Sequence, residues 1–422
     1  VPQRGDKRRE LPEAAMTLDR HPGDVSMNVI ASAGRPRRAA TGQILVVAAL
    51  AMVAIVSLVA LVLEGGNAYA HQRQTQNAAD AAADAGAAVI ALRFTNTSLN
   101  DGNVNTAIQN SIAVNLAAGS TATAYYTNVK GQFMNSVGVA PVAKVNAAVV
   151  GNGVFPPGAQ GVAVNASQPF GAFIGRAIGF NSFTSSAEAT AVAGALVGGV
   201  FLPVVFPVNI SSCEGSGSLG SQEINGGWTL SQPPTSAGGT PDGQEYIVPL
   251  CKTGTGSFQI LDFDSSLKCE EEIALGLETT LTIPGYVDSD NGNDCAKKIV
   301  DAVNSKHGTI VNVPICDNGP DADQPIGNCD TKGGSNAEYH IVKVASFWLD
   351  YMSDGNKLND PNSPCQSLPN GSRIFLPGTD IEGNGSSSCI VGWFIRYVTA
   401  GTVGTDGPPD ANNDTIGIQL IK

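Results

Sequence analysis

The sequence predicts an α+β protein hung from one long N-terminal helix. Three observations predict it. Ile44 to Leu63, ILVVAALAMVAIVSLVALVL, is free of charge. The stretch after it, Glu64 to Arg93, is polar and then Ala-rich. All eight cysteines fall after residue 212, among short apolar runs separated by Gly, Pro and Asn. The expected order is a disordered cytoplasmic segment (1–43), a transmembrane helix (44–63), an Ala-rich helix (64–93), a small α+β unit (94–200) and a β-rich, disulfide-bearing exported domain (201–422).

Residues 1–43 are polar, Arg- and Pro-bearing and without periodicity, which predicts disorder. Val1 is an unusual first residue, and Met27 is the favoured start. Arg35, Arg37 and Arg38 stand just before the apolar run with no acid nearby. The positive-inside rule therefore puts the N-terminus in the cytoplasm and the bulk outside. The formal charge of −13 argues against nucleic acid, because neutralising phosphates needs clustered Lys and Arg.

At ~1.5 Å per residue, the apolar run makes a helix about 30 Å long, the thickness of a hydrocarbon core. A single such run satisfies its backbone in lipid only as a helix. A cleaved signal peptide is the rival, since Ala68-Tyr69-Ala70 has the A-x-A form. The run is too long for it, and Glu64 follows directly. A prepilin-type cut is rejected, because the fifth residue after Gly42 is Val47 and not Glu.

Gly65-Gly66 allows a flex, after which Ala, the best helix former, dominates. Tyr69, Gln76, Ala83 and Ile90 recur every seven residues, as do Gln72, Ala79 and Gly86. A stripe of that kind lets another element approach closely. Either the chain's own exterior domain or a partner helix would cover it. Asp80 and Asp84 form a like-charge i,i+4 pair, expected to be solvated.

Gly42-Gln43, the apolar run, Glu64-Gly65, Tyr69, Arg73 and Gln76-Asn77-Ala78-Ala79-Asp80-Ala81-Ala82 carry a resemblance. Residues 38–92 resemble the N-terminal segment of TadG-like proteins, of the TadE/TadG group of the Flp (tight-adherence) pilus assembly system. Two positions depart from the pattern: Glu64 stands where Asp is expected, and Asp84 where an apolar residue is usual. The resemblance implies a bacterial, non-catalytic part of the pilus machinery. Its partners would be the lipid membrane and pilin-like or other Tad assembly proteins, met through the Ala-rich helix.

In the unit from 94 to 200, Val104, Ile108, Ile112 and Leu116 have helical spacing within Asn103–Ala118, which ends at Gly119. Ala122–Val129 and Ala143–Val150 are strand-like. Gly161–Gly194 reads as strand, short helix (Phe170 to Ile178) and strand, with Phe170, Phe173, Ile174 and Ile178 as core. Further on, Phe201–Ile210, Tyr246–Leu250, Phe258–Phe263, Tyr339–Phe347 and Ile390–Val398 read as strands, and Cys295–Ser305 as a helix. The Tyr339 and Cys389 segments look like paired strands.

Eight cysteines in an exported part read as disulfides, with Cys316–Cys329 a sequence-near guess. No CxxC supports a zinc site. Asp288, Asp290 and Asp294 alternate around a Gly turn and suit Ca²⁺, a hard cation taking oxygen ligands. A solvated acidic turn is the competing view, because Ile299 stands where an EF-hand has Glu. Asp317, Asp321 and Asp323 form a second, weaker set. No other cofactor is expected.

Enzyme motifs are scattered rather than assembled. Ser265-Ser266-Leu267-Lys268, Ser289-Asp290-Asn291 and Lys252-Thr253-Gly254 match the marks of penicillin-recognising enzymes, but in the wrong order and within about forty residues. Asp264 to Lys268 also fails the D-x-S-x-S metal motif of von Willebrand A-type domains, which many TadG-like proteins carry. His307 and His340 lack an evident nucleophile. The first functional expectation is therefore a membrane-anchored assembly or structural component. The alternative is a tethered binding module or adhesin, Ca²⁺-dependent or not, without a pilus role; an exported hydrolase comes third.

Overall fold

The computed structural model describes residues 41–94, 96–207, 228–236, 238–250, 260–276, 278–288, 295–317, 338–353, 364–375, 388–405 and 415–421. The segment up to residue 40, expected to be disordered, lies outside them. The chain divides into two compact units, one ending at Val59 and one beginning at Ala60. Helix α1 (Thr41–Arg93) belongs to both. In the first unit, residues 44–59 expose their Ile, Leu, Val and Met side chains. Among the described residues α1 is the one helix long and apolar enough to cross a membrane. It suggests a single-pass membrane protein. The helix stays continuous through Gly65 and Gly66, where the sequence allows a flex.

In the second unit, α2 (Asp101–Asn115) starts at Asn100, whose side chain accepts from the Gly102 N–H while Asn103 reaches back to the Asn100 N–H. That reciprocal cap satisfies donors the helix cannot. Then come β1 (Thr121–Thr127), β2 (Gly161–Gly171) and β3 (Ser182–Val200). They pair antiparallel in that order, Val164 opposite Ala124 and Ala189. One face alternates Val162, Val164 and Ala166 with Ala187, Ala189, Ala191 and Ala193, and α1 and α2 cover it.

The expected strand Ala143–Val150 does not form. It becomes a loop with a short 3₁₀ turn, Lys144–Asn146, and pairs with β1 at an isolated Tyr125–Val149 bridge. Its backbone is used all the same. Tyr126 N–H donates to Ala148 O and Val150 N–H to Ala124 O, so the loop covers the outer edge of β1.

The β-rich part continues with β4 (Phe206–Pro207), β5 (Glu245–Leu250), α3 (Cys269–Leu275), β6 (Glu278–Thr280), β7 (Gly285–Asp288), α4 (Cys295–Asn304) and β8 (Ile310–Asp317). After these come β9 (Glu338–Ser353), β10 (Arg373–Phe375), β11 (Ser388–Phe394), β12 (Val398–Ala400), β13 (Thr402–Val403) and β14 (Ile416–Ile421). The second sheet runs β10-β5-β11-β9-β8-β4, with β7 also on β9. The expected pairing of the Tyr339 and Cys389 segments is the antiparallel β9–β11 ladder. Phe258–Phe263 forms no extended strand within the described residues, only the bridge of Ile260 to Val204. The last strands leave this sheet: β14 pairs antiparallel with β3, β12 pairs with β14, and β13 and β6 also join β3. The first sheet therefore reaches across the expected division at residues 200 and 201.

The core of the second sheet is aromatic. Phe206, Phe347 and Phe394 meet edge to face at 5.1–6.2 Å, and Trp228 stacks on Phe394 at 4.3 Å. Ile299 and Val303 of α4 close it. Cys365 and Cys389 form a disulfide that ties the segment before β10 to β11. Cys316 is disulfide-bonded too; its guessed partner Cys329 lies outside the described residues.

Candidate functional site

The water-exposed half of α1 is where the sequence motif and the fold meet. Thr75, Ala78, Ala79, Ala82, Ala83, Gly86, Ala87, Ile90 and Ala91 are buried, alternating steps of three and one, the spacing of one helix face. The chain's own sheet and α2 cover this face. A Cβ on Gly86 would stand 2.7 Å from Val162 Cγ2 and 3.0 Å from Ile108 Cδ1. Small residues are needed because β2 and α2 both press on this point. Ala79, Ala83, Gly86 and Ile90, the deep part of the two heptad stripes, are thus taken by intramolecular packing. Of the two occupants the stripe allows, the chain's own sheet and α2 are the ones found on this face.

The glutamines on the flank act differently. Gln72 Nε2 donates to Ser186 O at 3.0 Å, and Gln76 Nε2 reaches Glu188 O at 3.5 Å. Both carbonyls belong to the stretch of β3 that precedes its pairing with β14. Two side chains one turn apart therefore cap a sheet edge that would otherwise be open. Gln76 also donates to Asp80 Oδ1 at 2.8 Å. Asp80 and Asp84 are half-buried rather than solvated. Thr75 Oγ1 pairs with Ser185 Oγ at 2.5 Å, and the His71 ring stacks on Phe170 at 4.4 Å.

Near the start of this half, Glu64 Oε2 accepts the N–H groups of Phe173 and Ile174, each at 3.0 Å, and Asn67 Nδ2 donates to Gly171 O at 3.3 Å. On the outer side, Tyr69, Ala70, Arg73, Gln74, Asn77 and Ala78 line an open groove of about 530 Å³, closed at one end by Asn115 of α2. The Arg73 guanidinium lies over the Tyr69 ring at 5.7 Å. Tyr69, Arg73, Gln74 and Asn77 are exposed, so this groove is open to another molecule.

Residues 42–89 match the family model of Flp pilus-assembly TadE/G-like proteins. The chain carries a TadG-like segment. No curated protein matches the chain, and no solved structure does. The TadG-like segment comprises the apolar run and nearly all of the buried Ala face. Within it, Gln76, Ala78, Ala79 and Ala82 seal the helix onto the sheet, while Tyr69, Arg73 and Asn77 face outward. The motif therefore mixes two roles that its spelling does not separate.

Of the metal candidates, Asp288 and Asp317 are described. Asp288 is exposed at the end of β7, where its carbonyl accepts the Asp262 N–H at 2.9 Å; Asp290 and Asp294 lie outside the described residues. Asp317 ends β8, and Asp321 and Asp323 lie outside as well. Among the described residues, no three His, Cys, Asp or Glu side chains are grouped to hold a metal. Of the enzyme motifs, only Ser265 to Lys268 is described. There Asp264 accepts both the N–H and the hydroxyl of Ser266, which hold its carboxyl below the usual range. This is a turn before α3, a local use of Asp and Ser that needs no chemistry. His307 Nδ1 contacts the Asp350 carbonyl, and His340 is buried against Tyr286.

Two polar constellations escaped sequence reasoning. Asp101 is buried and accepts from Tyr126 OH at 2.8 Å, Gly151 N–H at 2.8 Å and Gly153 N–H at 2.6 Å. Burial first, and then Asp101, push the Tyr126 phenol well above its ordinary value. Glu245 and Arg373 form an inward ion pair at 3.0 Å across the parallel β5–β10 ladder. Burial raises the Glu245 carboxyl, Arg373 opposes this, and Asp350 adds to it. A cap-proximal Asp after Asn100 is the one signal that could have marked the first; nothing local marks the second.

Proposed function

We propose that this protein is a non-catalytic, membrane-anchored assembly or structural component of an Flp/Tad pilus system. The observation that carries the reading is the TadE/G-like match over residues 42–89, on a helix whose apolar half leads into a half folded onto the chain's own sheet. The N-terminus is cytoplasmic and the sheets are exterior, in keeping with Arg35, Arg37 and Arg38 before the span. Because the small-residue face is occupied, pilus partners dock on the Tyr69–Arg73–Gln74–Asn77 groove. Exposed Tyr and Arg suit such a role, being residue types that dominate binding at interfaces. A structural Ca²⁺ at Asp288, Asp290 and Asp294 would belong to the exterior part and not to this groove.

The test is genetic and visual. Surface fibres are counted by electron microscopy in a deletion strain, and in the same strain carrying the wild-type chain or the Arg73→Ala, Asn77→Ala double variant. The reading expects fibres to vanish, to return with the wild type, and to stay absent or sparse with the double variant at equal protein level. Unchanged fibres on deletion contradict the pilus role. Full rescue by the double variant contradicts the groove alone.

A further inference from the structure

Every exposed phenylalanine among the described residues lies in one place. Phe173, Phe180 and Phe183 are at the turn joining β2 to β3, with Ile174 beside them; Phe173 is 70% exposed and Phe180 59%. Sequence reasoning puts Phe173 and Ile174 in the core of a short helix from Phe170 to Ile178. Only the first part of that segment is core. β2 runs on to Gly171 and buries Phe170, while the helical turn is short, Gly175–Ile178, and projects beyond the sheet. Four large apolar side chains on one projecting turn are more than scattered surface residues need.

The position of this turn is fixed. Glu64 is the first charged residue after the apolar run that ends at Leu63. Its carboxylate holds the N–H groups of Phe173 and Ile174, and Asn67, one turn later, holds Gly171 O. The turn is therefore bound at the level where α1 leaves the hydrocarbon. Arg176, also exposed, sits among the apolar side chains. An apolar surface with an interspersed cation is the chemistry of a lipid interface, where rings enter the acyl boundary and the cation meets anionic headgroups.

We propose that the β2–β3 turn, Phe173 to Phe183, is a second membrane contact that seats Phe173, Ile174 and Phe180 in the interface of the bilayer crossed by α1. The occupant is lipid, because Leu61, Val62 and Leu63, exposed just before Glu64, bring the apolar run up to the residue that holds this turn. The proposal needs the span but not the pilus role.

The test reconstitutes the full chain in phosphatidylethanolamine–phosphatidylglycerol vesicles. Benzoylphenylalanine replaces, one at a time, Phe173, Phe180, Val145 and Leu58. Val145 is exposed at the loop near β1, and Leu58 lies in the span. After illumination, lipid adducts are quantified by mass spectrometry. Phe173 and Phe180 should give at least about fivefold more lipid adduct than Val145, as an interfacial ring requires. Labelling at Leu58 with only Val145-level labelling at Phe173 and Phe180 overturns the proposal and leaves the span standing. Adducts from Phe173 and Phe180 to a second copy instead of lipid overturn it as well. No lipid adduct at any position overturns both the contact and the span.

Discussion

The two sheets of this protein are filled in opposite ways. The first is filled by alanine: Ala79, Ala82, Ala83 and Ala87 of α1 share one core with Ala187, Ala189, Ala191 and Ala193 of β3. The second is filled by Phe206, Phe347, Phe394, Trp228 and Tyr246, and locked by Cys365–Cys389. Alanine buries little area, so the first layer gains its stability from closeness and from polar ties at its margins. Aromatic rings bury far more area each and tolerate a looser frame. The first arrangement fixes position and the second supplies bulk stability. A helix that must keep its sheet in register has use for the first.

Removing volume should hurt the aromatic side most. Phe394→Ala opens a cavity among four rings and should cost about 4 kcal/mol in the urea midpoint analysis. A loss under about 1 kcal/mol would show that this cluster is not a packed core. Adding volume should hurt the alanine side. Gly86→Val meets Val162 and Ile108 and should cost about 2 kcal/mol, whereas the same change at Gly66, which has open space, should cost little. Equal effects at the two glycines would erase the contrast.

Smaller effects sharpen the picture. Gln76→Ala removes an edge cap and should lower stability by about 1 kcal/mol. Amide exchange should quicken at the β3 edge near Glu188 and remain unchanged in β9. If it quickens nowhere, the cap is incidental. The last test is one of pH. Burial keeps the Glu245 carboxyl above its ordinary 4.5, despite Arg373 and aided by Asp350, so the folded state binds that proton more tightly than the unfolded chain. Its contribution to stability therefore rises as pH falls through the folded value and is complete below 4.5. Relative to Glu245→Gln, the wild type should gain stability on going from pH 7 to pH 4.5. A difference that stays flat, or runs the other way, would mean that the ion pair outweighs burial.

These contrasts were only partly legible in the sequence. The span, the helix from Asp101 and the β9–β11 pair announce themselves because apolar periodicity and length are local signals. The heptad stripe of Ala83 and Ile90 is visible too, but not what covers it. Spacing shows that a face is small, whereas what fits it comes from α2 and from a strand more than seventy residues away. Gln72 and Gln76 look like solvated helix residues until the free edge of β3 is known. Phe173 looks like core because periodicity cannot tell a buried ring from one at a projecting turn. The alternation in Ala143–Val150 predicts a strand, but the loop is recruited as an edge cover by bridges that no local pattern encodes. The return of β14 to β3 is likewise a long-range pairing.

The small-residue face of α1 is sealed by the chain itself. Native-state hydrogen exchange on the detergent-solubilised, full-length monomer tests it most directly, read at the amides from Thr75 to Ala91. An isolated helix of this length is marginal in water and would exchange quickly. Sealed in this way, these amides should exchange as slowly as those of β2 and β3, without any partner present. Fast exchange from Thr75 to Ala91, slowed only when Tad pilus proteins are added, would contradict it and return the alanine face to a partner helix.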